Sequence, residues 1–134
     1  PMAERLSMIV FSGTVDKLFP VAILASGAVA MEQEVDIFLT FWGLEAFRKG
    51  APQQNMRMSK DFEDKGQAMM ALMQQKNVPS WYETLRKAKE LGDGNVRVHA
   101  CAMTMDLPTS PDRTTVSSHT VGIPRRNLIP GCPR

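Results

Sequence analysis

The sequence predicts an α/β fold built on a mainly parallel sheet, and three observations carry that expectation. Short apolar runs recur near residues 6–11, 34–41 and 95–101, segments of helical periodicity separate them, and glycine, proline or small polar residues punctuate the joins. Strands that alternate with helices imply crossover connections, and crossovers imply parallel pairing.

Leu6 to Phe11 (LSMIVF) has strand length and a branched, apolar content that favours a buried strand. Ser12-Gly13-Thr14 bounds it, and Thr14 or Asp16 can cap the helix that follows. Pro20 places the start of that helix close by, because proline is tolerated near a first turn. From Leu18 to Met31 (LFPVAILASGAVAM) the segment is apolar nearly all round, which assigns it to a core or an oligomer interface. Glu34 to Phe41 (EVDIFLTF) alternates and then turns continuously apolar, as a strand entering a covered sheet does, and Trp42 and Gly43 end it.

Residues 44–49 suit a short helical turn, and Gly50 to Met58 (GAPQQNMRM) has the content of a loop. Ser59 opens a helix to Lys76 whose apolar face is mostly methionine, with Phe62, Met69, Met70 and Met73. Ser80 and Glu83 form an S-x-x-E capping box, Leu85, Ala88 and Leu91 share one face behind it, and Gly92 ends the helix. Asn95 to Cys101 (NVRVHAC) is the third strand, with Val96, Val98 and Ala100 on one face and Arg97, His99 and Cys101 on the other. Pro108, Pro111, Pro124, Pro130 and Pro133 all follow Asp106. Residues 107–134 therefore read as a divergent, irregular tail, with a weak edge strand at 115–123, attached to an α/β domain at 1–106.

A length of 134 residues fits one core. Acids and bases nearly balance before residue 107, whereas Arg113, Arg125, Arg126 and Arg134 in the tail face only Asp112. A nucleic-acid partner is not expected, since such binders carry a basic face on the folded body. Cys101 and Cys132 support neither a disulfide framework nor a zinc site, so the expectation is a cytoplasmic protein without a metal. No membrane span is expected, because Leu18 to Met31 falls short of the roughly 20 residues a bilayer requires.

Parallel strands would gather Ser12-Gly13-Thr14, Trp42-Gly43 and Cys101 to Asp106 at one sheet edge, where open α/β sheets hold their ligands. A thiol there lies where amide N–H groups and a helix dipole stabilise a thiolate, though Cys101 also suits a small core position. Ser12-Gly13-Thr14 reads as a backbone cradle for an anion or as a plain helix cap, and Trp42 as a shield against water or plain packing. Met103 offers soft, adaptable surface. His99 shares a strand face with Cys101, but a side chain at i−2 rarely reaches its neighbour. A carboxylate at Asp106 would raise a nearby thiol's pKa. Exposure of Cys101 at an edge cleft is the observation that separates chemistry from packing.

Several segments taken together, FSGTVDKLFPVAILASGAVAM (11–31), VDIFLTFWGL (35–44), NVPSWYETLRKAKELG (77–92) and VRVHACAMTMD (96–106), resemble the DsrE/DsrF-like family, in its peroxiredoxin-labelled branch of small sulfur-relay proteins. The combination of FWGL with AC-x-M-x-MD is the most specific part. The resemblance implies a three-layer α/β sandwich that forms homo-oligomers. It also implies a sulfur carrier or sulfurtransferase whose cysteine, matched here by Cys101, takes sulfane sulfur as a persulfide from a donor protein and passes it to an acceptor thiol. Ser12, Gly13, Thr14, Trp42 and Met103 would line the substrate side, with no organic cofactor or metal. The alternatives are a non-catalytic oligomeric assembly subunit and, from the branch label alone, a thiol peroxidase. After Asp106 the chain departs from the family pattern, continuing Leu-Pro-Thr-Ser-Pro-Asp-Arg.

Overall fold

A computed structural model describes residues 4–48 and 50–105. Strands β1 (Arg5–Val10), β2 (Glu34–Leu39) and β3 (Val96–Ala100) form a sheet in the spatial order β1-β2-β3. Both pairings are parallel, in a register that sets Val10 beside Leu39 and Leu39 beside Ala100, so the three C-terminal ends are level. Helix α1 (Val15–Ala30) makes the first crossover. The second runs through α2 (Phe41–Ala46), α3 (Ala51–Gln54), a 3-10 turn (Lys60–Phe62), α4 (Glu63–Gln75) and α5 (Trp81–Leu91). A last short helix, α6 (Ala102–Met105), follows β3.

Period-two alternation decides which face is covered. Val10, Val35, Ile37, Leu39, Val96, Val98 and Ala100 lie buried beneath Leu18, Ala22 and Ala25 of α1 and Leu85 and Ala88 of α5. Small residues on the buried stripe of α1 let α5 pack close alongside it. Trp81 anchors the far end, edge-on to Phe47 and to Tyr82 with ring centroids 5.2 and 5.9 Å apart. The parallel α/β architecture is thus as the sequence predicts. Among the described residues the helices cover one sheet face, giving two of the three expected layers.

The differences have local causes. Strand β2 stops at Leu39, and Phe41-Trp42-Gly43 begins a helix, because Gly43 lets the first turn of α2 rest directly on the carbonyl of Val10. The expected loop at 50–58 contains α3, which Gly50 enters at φ 82°, with Pro52 in its first turn. Pro20 falls in the second turn of α1 on the exposed side, where water can serve the carbonyl that a missing N–H leaves open. The methionine-rich helix is shorter than expected, beginning with the 3-10 turn, and its stripe is only partly covered: Met70 is half-buried while Met69 and Leu72 are exposed. The capping box at Ser80 and Glu83 forms in both directions. Asp106, the tail at 107–134 and Cys132 lie outside the described residues.

Candidate functional site

The C-terminal sheet edge is assembled by close backbone contacts. Thr40 donates its N–H to Val10 O at 3.0 Å, and Cys101 donates its N–H to Leu39 O at 2.9 Å, so each strand end is fastened to the next. A Cβ on Gly43 would lie 2.1 Å from Val10 O, and one on Gly13 would lie 2.6 Å from Trp42 O. These glycines allow α2 to nest between the end of β1 and the Ser12-Thr14 loop. That is the role the structure gives Gly13. Thr14 occupies the N-cap of α1, but its hydroxyl meets Ser12 Oγ at 3.3 Å rather than capping the helix. Asp16 does not cap it either, and accepts the Ser59 N–H at 3.0 Å.

Cys101 ends β3 at the expected edge, yet its thiol is not open: the residue is 5% exposed. Three positions on, Thr104 is 2% exposed. Its hydroxyl accepts the Phe41 N–H at 3.2 Å and shares a 3.2 Å hydrogen bond with Thr40 Oγ1. Phe41 stands in the left-handed region at φ 47°, a strained conformation for a bulky residue that persists only where its surroundings enforce it. Sequence reasoning passed over Thr40, Phe41 and Thr104. Nothing in a threonine three residues after a cysteine announces its partner 64 residues back.

The other expected site residues divide into two groups. Ser12, Gly13, Thr14 and Trp42 line one groove of about 590 Å³ together with Arg48 and Arg57, and Trp42 is 63% exposed. Cys101 and Met103 do not line that groove; Met103 lies on α6, about half exposed. With strands about 4.8 Å apart, β3 and β1 are separated by roughly 10 Å, with the Thr40-Phe41 junction between them.

The second sheet face carries a charge network that alternation places there. Arg97 grips Asp36 with two hydrogen bonds of 2.8 and 3.1 Å and reaches Glu34 at 3.1 Å. Arg5 bonds Glu34 at 2.6 Å, and His99 Nε2 lies 2.9 Å from Asp36 Oδ1. The Arg97 bonds, opposed by partial burial and aided by His99, hold the Asp36 carboxyl down at about 2. Arg5 and Arg97 lower Glu34 as well, and Asp36 and Glu34 keep Arg97 firmly protonated. His99 is thus occupied by Asp36. The signal was present in the sequence as Glu34-x-Asp36 and Arg97-x-His99, two charged alternations that parallel pairing brings face to face.

Among the described residues, no group of three His, Cys, Asp or Glu side chains is placed to hold a metal ion, and no helix is long and apolar enough to cross a membrane. Residues 2–71 match the family model described as the DsrE/DsrF/DrsH-like family. The chain is 35% identical over 127 residues to the uncharacterized protein YrkE of Bacillus subtilis, an alignment covering 78% of this chain and 76% of that protein. It is 33% identical over 127 residues to the sulfur carrier protein DsrE2 of Allochromatium vinosum, covering 81% of this chain and 80% of that protein.

Proposed function

Because this chain belongs to the DsrE/DsrF/DrsH-like family, we propose that it is a cytoplasmic sulfur carrier in which Cys101 holds the sulfur. The observation that carries this reading is the position of Cys101 at the level C-terminal edge of a parallel sheet, in a chain similar to a sulfur carrier over about four-fifths of its length. In loading, the Cys101 thiolate attacks the outer sulfur of a donor persulfide. The donor S–S bond breaks, the donor thiolate leaves with the electron pair, and Cys101 becomes Cys–S–S⁻. In unloading, an acceptor thiolate attacks that outer sulfur and Cys101 leaves as thiolate. Sulfur changes carrier with no net oxidation, and neither step needs a metal or an organic cofactor.

Ser12, Gly13, Thr14, Trp42 and Met103 form the surface on which donor and acceptor proteins approach, Trp42 and Met103 supplying exposed apolar area. Exposed Ile9, Ile23 and Leu24 support assembly into a homo-oligomer. Incubation with inorganic polysulfide followed by intact-mass analysis tests the assignment. One added sulfur, lost in Cys101→Ala and retained in Cys132→Ser, is the expected result; an unmodified Cys101 rejects it.

The near-complete burial of Cys101 favours a second reading, a non-catalytic assembly subunit in which this thiol is core. That reading expects Cys101→Ala to keep oligomer size and partner binding and to cost no biological activity. Sulfur loading on Cys101 in the mass experiment decides between the two.

A further inference from the structure

We infer that Thr104 is the positioning residue that governs access to the Cys101 thiol, acting as a catch on the segment that carries it. The segment from Cys101 to Thr104 is tied at both ends to the same junction between β2 and α2. At one end the Cys101 N–H bonds Leu39 O at 2.9 Å and extends the β2-β3 ladder. At the other, the Thr104 hydroxyl accepts the Phe41 N–H and pairs with Thr40 Oγ1, each at 3.2 Å. Cys101, Ala102 and Thr104 are all buried between these ties.

A buried thiol reacts only after the chain around it opens, and the two ties are unequal in what their loss entails. Releasing the Cys101 end unpicks the sheet. Among the described residues, releasing the Thr104 end breaks its hydrogen bonds to Thr40 and Phe41 and leaves every strand pairing in place, so local opening starts there. Phe41 adds a spring: its left-handed backbone is held in part by the bond to Thr104, and strain of that kind opposes the closed state once the bond is gone. The inference deepens the carrier reading by supplying the step that uncovers the thiol. It is separable from that reading, because alkylation reports access whether or not the thiol carries sulfur.

The experiment uses the full chain with Cys132→Ser, so that Cys101 alone reacts with iodoacetamide, followed by intact mass. Thr104→Val keeps the shape and removes the hydroxyl, while Thr104→Ser keeps the hydroxyl. The expected result is alkylation about tenfold faster in the valine variant, the effect of losing one to two hydrogen bonds, with the serine variant near the parent rate. Equal rates in valine variant and parent overturn the inference. Should Thr104→Val fail to fold, the parent carries the test: exchange of the Phe41 amide and alkylation of Cys101 at low urea must share one opening equilibrium and one weak urea dependence. Alkylation that follows global unfolding instead overturns it.

Discussion

Alanine at Gly43 should unfold the sheet edge, although alanine is ordinarily the better helix residue. Inside a helix, Gly→Ala gains about 0.5–1 kcal/mol from the reduced freedom of the unfolded chain. At Gly43 the new methyl would lie 2.1 Å from Val10 O and 2.6 Å from Val10 C. Relief requires a shift of about 1 Å in backbone that cannot yield freely, since Val10 O also accepts the Thr40 N–H that starts the turn into α2. Overpacking of this kind costs about 1–3 kcal/mol, and loss of the Thr40 bond at a buried carbonyl adds about 1–3. Offsetting the helix gain leaves a net loss of about 1–5 kcal/mol, the middle of which is roughly 10 °C in melting temperature for a domain of this size. Gly27 of α1 is the matched control, because a Cβ there meets nothing within 4 Å. Gly27→Ala should therefore gain the 0.5–1 kcal/mol that Gly43→Ala forfeits. Urea unfolding of both variants measures the contrast, and a Gly43→Ala protein as stable as the parent refutes the steric argument.

Two other substitutions probe the frame around the site. Asp36, held at about 2 against an ordinary 3.8, contributes stability that is present above pH 4 to 5 and is lost as pH falls toward 2. Asp36→Asn should remove up to about 2 kcal/mol at neutral pH, and its unfolding free energy should meet that of the parent in acid; a gap that stays constant down to pH 2 contradicts the assignment. Ser80→Ala deletes the hydroxyl that accepts the Glu83 N–H at 3.2 Å and should cost about 1 kcal/mol in urea, with helix α5 fraying first in hydrogen exchange.

What the sequence made legible follows from the range of the forces involved. The three strands, the crossover helices and the S-x-x-E cap are written in local periodicity, and so they could be read one segment at a time. That the three strand ends lie level, with Cys101 just beyond one of them, followed from parallel pairing. The helix at Phe41-Trp42-Gly43 did not, because it depends on the approach of a glycine to a carbonyl more than thirty residues earlier in the chain. The burial of Cys101 and the bond from Thr104 to Phe41 were hidden for the same reason: each is settled by tertiary contact, and a small residue at a strand end looks identical in sequence whether it is covered or open.

During synthesis β2 is for a time the bare edge of a two-stranded ladder, since the helices that follow it must be made before β3 exists. Unpaired strand edges are where nascent chains adhere to one another. In that interval, among the described residues, Glu34 and Asp36 have Arg5 alone to answer them, so two such edges meeting side by side would set carboxylates against carboxylates. Arg97 emerges 61 residues after Asp36 and turns the same pair of acids from a repellent into an attachment. The acids that Arg97 later pairs would thus oppose edge-to-edge association until the third strand arrives.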